Sequence, residues 1–179
     1  LPFSLTQAQA RVFDEISQDL TTSSPMLRLV QGDVGSGKTA VAALSALLAV
    51  ASGYQVAIMA PTEILAEQPY QVFTEWMEPL HIPVAWLSGK LKVSERRIQL
   101  ERIASGSAKI IVGTHALFQE QVEFSKLGFC IIDEQHKFGV HQRLALRKKG
   151  DSNNLRVHQL IMTATPIPRT LTMSAYADL

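Results

Sequence analysis

A glycine-rich segment at residues 32–39 restricts the fold of this sequence more than any other feature. Its residues match the pattern G-x-x-x-x-G-K-[ST]: Gly32, Asp33, Val34, Gly35, Ser36, Gly37, Lys38 and Thr39. An apolar stretch precedes it at 26–30 and an alanine-rich stretch follows at 40–51. A loop of this kind between a strand and a helix is typical of α/β domains, where its backbone N–H groups surround phosphate oxygens at the helix N-terminus.

Strands and helices are predicted to alternate along the rest of the chain. Apolar stretches predict strands at 26–30, 55–60, 84–87, 109–112, 127–132 and 156–162, and helical spacing predicts helices at 6–20, 40–51, 62–80 and 94–104. Such alternation indicates a mostly parallel sheet with helices on both faces. We therefore predict a three-layer α/β fold of the P-loop NTPase type, with Pro69 kinking or splitting its helix.

Composition and charge exclude several classes of protein. Hydrophobic residues make up 46% and charged residues 18%, which indicates a globular domain. The formal net charge of +1 means that a polyanion site would have to be a local patch. The only cysteine, Cys130, lies in an apolar stretch and is expected to pack in the core. The sequence shows no membrane span, signal peptide or initiator methionine, so we expect a cytoplasmic fragment of a longer protein.

Two acidic residues follow the most apolar predicted strand. Asp133 and Glu134 come directly after residues 129–132, where a carboxylate is costly unless it has a partner. The carboxyl ends of parallel strands share one edge of a sheet, so the glycine-rich loop can supply that partner. We predict that Lys38 contacts the terminal phosphates of ATP. Thr39 and Asp133 are expected to hold Mg²⁺, Asp133 through a water molecule.

Glu134 and His136 complete the predicted catalytic group. Glu134 could orient or deprotonate the water that attacks the γ-phosphate; the alternative is a solvated pair of acids at a strand end. His136 could sense the γ-phosphate through hydrogen bonds or be structural. Zinc ligation is not expected, because no second His or Cys lies at ligand spacing.

Short segments spread over nearly the whole chain resemble the RecG family of superfamily 2 DNA helicases. They are F-S-L-T-Q-A-Q, G-D-V-G-S-G-K-T, A-P-T-E-I-L-A-E-Q, V-G-T-H-A-L, D-E-Q-H-K-F-G-V-H-Q-R and M-T-A-T-P-I-P-R-T. The resemblance implies a single RecA-like motor domain over 1–179, with ATP hydrolase activity, Mg²⁺ as cofactor and branched or forked duplex DNA as partner. The alternatives are the translocase module of transcription-repair coupling factors, which Gln135 disfavours, and a nucleotide-binding module inactive in isolation.

The resemblance also implies roles for individual residues. Phe3 and Gln9 resemble the adenine-recognition element, although Gln9 alone could be an exposed helix residue. Thr163, Ala164 and Thr165 resemble the element that couples the nucleotide state to the grip on DNA; the alternative is that Thr163 merely caps its strand. The residues that resemble DNA-holding segments are Pro61, Thr62, Ser88, Gly89, Gly113, Thr114 and His115.

Further partners implied by the resemblance belong to the same polypeptide. A second RecA-like domain would supply arginines to the ATP site, and a wedge domain would split the junction, so the isolated chain is expected to be a nearly inactive monomer. Family members are expected to carry an aromatic residue or His where Pro69 stands, which puts the regularity of that helix in doubt. Lys90 and Lys92 could contact phosphate beside Ser88 and Gly89; the alternative is a solvated surface.

Overall fold

The computed structural model describes residues 5–21, 27–31, 37–133, 157–163 and 176–178. The helices are α1 (Gln7–Leu20), α2 (Lys38–Ala51), α3 (Glu63–Met77) and α4 (Val93–Ser105), with 3-10 turns at Glu78–Leu80 and His115–Phe118. The strands are β1 (Leu27–Gln31), β2 (Gln55–Met59), β3 (Val84–Leu87), β4 (Ile110–Gly113), β5 (Leu127–Asp133), β6 (His158–Thr163) and β7 (Tyr176–Asp178).

A single parallel sheet organises the domain. The seven strands follow the order β3-β4-β2-β5-β6-β1-β7, and every neighbouring pair runs parallel. The predicted α/β class with a mostly parallel central sheet is therefore confirmed. None of the helices in the described part of the chain is long and apolar enough to cross a membrane.

Strand β2 is buried on both faces because its side chains alternate between two hydrophobic clusters. On β2, Val56 and Ile58 pack with residues of α1, α2 and α3, whereas Ala57 and Met59 pack with residues of α4 and the 3-10 turn after β4. Successive side chains of a strand point to opposite faces, so each cluster fills one side of the sheet. The result is the predicted three-layer arrangement, and Cys130 is buried within it.

Helix α3 begins as predicted but is not split. The hydroxyl of its N-cap, Thr62, accepts a hydrogen bond from the Leu65 N–H at 3.2 Å. The helix is continuous from Glu63 to Met77 with Pro69 inside it, so the expectation of a split was wrong. Pro69 and Phe73 are both buried on its inner face. Packing of that face offsets the hydrogen bond that proline cannot donate.

Strand β7 was not predicted from the sequence. Its three residues, Tyr176–Asp178, pair in parallel with β1. A strand this short shows no alternation of apolar and polar residues that could be recognised, and only the neighbouring β1 gives it a partner. The six predicted strands agree with the structure to within two residues at each end.

His158 makes the stability of the fold dependent on pH. Burial lowers the pKa of His158 below its ordinary value of 6.5, and the charge of Asp19 only partly opposes this. The unfolded chain therefore binds the proton more readily than the folded chain. As the pH falls below the ordinary histidine pKa, protonation favours the unfolded chain and the protein loses stability.

We expect His158→Gln to reduce the fall in melting temperature between about pH 7 and about pH 5. One proton can change the slope by at most about 1.4 kcal/mol per pH unit. His81→Asn is the matched control: His81 is exposed and has a positive φ of 57°, which asparagine tolerates. If the melting temperature of the His158 variant falls with pH as steeply as that of the wild type, His158 is not the source of the acid sensitivity.

Candidate nucleotide-binding site

The candidate site lies along the edge where the parallel strands end. Residue pairing across the sheet sets Gln31 beside Thr163, Asp133 beside Met162 and Ile132 beside Met59. The last residues of β1, β2, β5 and β6 therefore reach a common edge. Ligands of parallel α/β sheets bind beyond this edge.

Gly37 is fitted closely against helix α1. It is the N-cap residue of α2, and its φ of 86° lies in the left-handed region that favours glycine. A β-carbon on Gly37 would overlap Nε2 of Gln9 and lie 2.9 Å from its Cδ. The conformation therefore favours glycine here, and any larger residue would also displace the Gln9 side chain.

The first turn of α2 is suited to an anion. The helix begins at Lys38, and the N–H groups of Ala40 and Val41 bond to the Gly37 carbonyl at 3.1 and 3.4 Å. The N–H groups before them have no acceptor within a helix, and the helix dipole adds a partial positive charge. With the Lys38 ammonium and the Thr39 hydroxyl on the same turn, this end of α2 can bind phosphate.

Asp133 and Lys38 are far apart in the chain but act on each other electrostatically. Burial raises the pKa of the Asp133 carboxyl above its ordinary value, and the positive charge of Lys38 partly offsets this. An offset of this kind requires the ammonium to lie near the carboxylate. The structure thus brings the end of β5 and the start of α2 together.

The residues at this edge could hold Mg²⁺ together with a nucleoside triphosphate. Burial still raises the pKa of Asp133 despite the charge of Lys38. A further cation at this position would therefore reduce the remaining free-energy cost of charging the buried carboxyl. Among the residues that the structure describes, no group of three or more His, Cys, Asp or Glu side chains could hold a metal ion. Mg²⁺ does not need such a group, since one or two protein oxygens plus phosphates suffice. Thr39 and Asp133 provide that set.

Gln9 is not the exposed helix residue considered as an alternative. It is only 8% exposed, and its Oε1 accepts a hydrogen bond from the Thr6 N–H at 2.9 Å while Thr6 Oγ1 accepts one from the Gln9 N–H at 3.2 Å. This capping box fixes the side chain at the start of α1, where its amide packs on Gly37. A link between α1 and the end of the glycine-rich segment was not apparent from the sequence. Adenine recognition by Gln9 stays a prediction.

The predicted DNA-holding residues follow three strands that are neighbours in the sheet. β3, β4 and β2 are adjacent in that order, so the segments after them form a continuous row. They are Ser88 and Gly89 after β3, Gly113, Thr114 and His115 at the end of β4, and Pro61 and Thr62 after β2.

Several residues of this row also have a structural role. The Thr62 and Thr114 hydroxyls cap a helix and a 3-10 turn by accepting hydrogen bonds from Leu65 N–H (3.2 Å) and Ala116 N–H (3.4 Å). A β-carbon on Gly113 would overlap the Leu87 carbonyl oxygen, so close approach of β3 and β4 explains the glycine. A threonine hydroxyl that accepts in a cap can still donate, so capping and phosphate binding are compatible.

Lys90 and Glu63 join two segments of the row. Lys90 Nζ lies 3.4 Å from Glu63 Oε2. No functional role was predicted for Glu63 from the sequence. The sequence feature that could have indicated a role for Glu63 is its position directly after the predicted DNA-holding segment Pro61–Thr62.

Part of the predicted site lies outside the described residues. Thr163 is described as the last residue of β6, paired with Gln31. The predicted residues outside are Phe3, Gly32, Asp33, Val34, Gly35, Ser36, Glu134, His136, Ala164 and Thr165.

A parallel α/β sheet with a glycine–lysine helix start facing a strand-end aspartate defines a nucleotide-binding domain of the P-loop type. Residues 6–174 match the DEAD/DEAH box helicase family, and the chain belongs to that family. It is 64% identical over 179 residues to the ATP-dependent DNA helicase RecG of Pasteurella multocida and 54% identical to that of Aquifex aeolicus. It covers 26% and 22% of those relatives.

A solved structure is similar as well. The chain superposes on RecG bound to a three-way DNA junction with a TM-score of 0.82 and 46% sequence identity, covering 96% of this chain and 22% of that one. The resemblance to RecG inferred from the motifs is therefore confirmed. The chain spans about a quarter of the length of the relatives it matches.

Proposed function

We propose that this chain is the first motor domain of a DNA helicase that couples ATP hydrolysis to movement along duplex DNA. The full-length protein would remodel branched DNA, as in reversal of stalled forks, processing of Holliday junctions, and recombination and repair. The observation that carries the proposal is the position of Asp133 at the carboxyl edge of the parallel sheet, where burial raises the pKa of its carboxyl and the charge of Lys38 at the start of α2 partly offsets this. The similarity to RecG enzymes supports the DNA substrate.

In this proposal the nucleotide is held at the start of α2. Lys38 binds the terminal phosphates, and Thr39 and Asp133 hold Mg²⁺, with Asp133 acting through a water molecule. The metal ion, when bound, neutralises charge on the phosphates. Glu134 orients or deprotonates the attacking water, and His136 senses the γ-phosphate. Gln9 and Phe3 recognise adenine, and the packing of the Gln9 amide on Gly37 sets the position of Gln9 next to the phosphate-binding end of α2.

The DNA is held by the row of residues after β3, β4 and β2 in the same proposal. Hydroxyls and backbone N–H groups there would contact phosphates without reading sequence. Thr163, Ala164 and Thr165 would couple the nucleotide state to this grip. A second RecA-like domain of the same polypeptide would supply arginines that stabilise the transition state, and a wedge domain would split the junction. We expect the protein to act as a monomer in the cytoplasm.

The test is ATP hydrolysis by the full-length protein with no DNA, with linear duplex and with a three-way junction of equal length. We expect hydrolysis to be stimulated by DNA, most strongly by the junction. Lys38→Ala should abolish the activity under all three conditions, which controls for contaminating ATPases. Equal hydrolysis with and without DNA would reject the motor function and favour a nucleotide-binding module. Equal stimulation by duplex and junction would favour a duplex translocase instead.

A further inference from the structure

The ion pair between Lys90 and Glu63 crosses the row of predicted DNA-holding residues. Lys90 lies in the turn after β3, and Glu63 is the first residue of α3 after β2. The Lys90 side chain is 85% exposed and that of Glu63 24% exposed. The pair therefore presents a lysine to solvent, whereas most of the Glu63 side chain is covered.

The two partners differ in how firmly they are held. Glu63 lies in the first turn of α3, where the helix dipole stabilises a negative charge. Among the residues that the structure describes, Glu63 is the one acidic partner of Lys90, whose side chain is long and flexible. An exposed ion pair contributes roughly 0–1 kcal/mol, so Lys90 can exchange its partner at little cost whereas Glu63 stays in place.

The surroundings of Lys90 leave room for a phosphate. A β-carbon placed on the neighbouring Gly89 would meet no atom within 4 Å, so the backbone beside Lys90 is open. Ser88, one residue earlier, is buried and fixes the start of the turn at the end of β3. A phosphate group could therefore approach Lys90 along the open side of this turn.

We propose that Lys90 is an exchangeable phosphate contact: it pairs with Glu63 when the site is empty and with a DNA phosphate when the strand is bound. This inference rests on the proposed function. Glu63 then has a role of its own, because it competes with the phosphate for Lys90 and weakens the grip on DNA. A motor that moves along DNA must release each phosphate, and a waiting carboxylate lowers the cost of release.

The test measures binding of the full-length protein to forked DNA at a series of salt concentrations without nucleotide. Lys90→Gln should weaken binding and reduce the slope of log K against log salt by about 0.7–0.9, the value for one phosphate contact. Glu63→Gln should tighten binding about 2- to 5-fold, since it frees Lys90 from an exposed pair. In the double variant most of that gain should disappear.

Lys109→Gln is the matched control, because Lys109 is an exposed lysine that precedes β4 at the opposite edge of the sheet. It should leave the salt slope unchanged. If Lys90→Gln has the slope of wild type, or if Glu63→Gln tightens binding equally with and without Lys90, the exchange does not occur. Both outcomes are distinct from failure of the wild-type protein to bind DNA, which would overturn the proposed function together with this inference.

Discussion

Replacing Asp133 with asparagine should make the ligand-free protein more stable while reducing ATP hydrolysis about 10- to 100-fold or more, the usual loss when an outer ligand of a metal site is removed. The two effects have one origin. Burial raises the pKa of Asp133 because the folded chain disfavours its charge, and Lys38 offsets only part of that cost. The same charge is what the proposed Mg²⁺ site requires.

The sign of the stability effect follows from proton linkage. A carboxyl whose pKa is raised on folding contributes stability at low pH that is lost as pH rises through its folded pKa. At neutral pH the charge on Asp133 therefore lowers the free energy of unfolding, and asparagine removes this destabilising effect. We expect a gain of roughly 0.5–2 kcal/mol. The gain should vanish below about pH 4, where Asp133 of the wild type is protonated.

Thermal melting of the full-length protein at several pH values and steady-state ATP hydrolysis check both parts. Asp14→Asn is the control: Asp14 is an exposed carboxylate on α1, and its variant should change neither quantity. A lower melting temperature for Asp133→Asn at neutral pH would mean that the carboxylate is a net stabiliser of the empty site. Undiminished hydrolysis would remove Asp133 from the nucleotide site.

The fold class was predictable because the sequence shows strongly apolar strands alternating with helices. Parallel strands also bring their ends to one edge, so Asp133 could be linked to Lys38 without coordinates. Contacts between side chains distant in sequence were not predictable. The packing of Gln9 on Gly37, the ion pair of Lys90 with Glu63 and the pairing that stabilises β7 all depend on register and helix position.

Pro69 shows the same limit for local rules. Its cost to a helix is known, and the sequence therefore predicted that α3 would be kinked or split at Pro69. The helix nevertheless continues, because its inner face, including Pro69 and Phe73, is buried. Tertiary packing contributes more to helix stability than a single hydrogen bond.

Among the buried polar residues, we expect replacement of Gln55 to cause the largest loss of stability. It is the first residue of β2 and only 2% exposed. Its Nε2 donates to the carbonyl oxygens of Ile103 and Ala108, both at 2.9 Å, and its Oε1 accepts from the Lys126 N–H at 2.9 Å. One side chain thus satisfies backbone groups at the end of α4, before β4 and before β5.

We expect Gln55→Met to destabilise the domain by roughly 3–4 kcal/mol, because it fills similar volume but removes the Gln55 partner of the Ala108 carbonyl and the Lys126 N–H, at about 1–3 kcal/mol each. The Ile103 carbonyl still accepts a hydrogen bond from the Gly106 N–H at 3.2 Å. Gln55→Glu can still accept from Lys126 but sets a carboxylate against two carbonyl oxygens. Its cost should therefore be at least as large, and it should fall at acidic pH as the new carboxyl is protonated.

Hydrogen exchange of the β2 and β5 amides in the full-length protein measures this loss locally. Exchange should become about 100- to 1,000-fold faster in Gln55→Met, at 1.4 kcal/mol per tenfold. The exposed Gln18 on α1 supplies the control, since Gln18→Met should stay within about 0.5 kcal/mol. Gln55 lies at the amino edge of the sheet, opposite Asp133. Nucleotide affinity should therefore be unchanged wherever the domain remains folded, and a parallel loss of affinity would mean that the two edges are coupled.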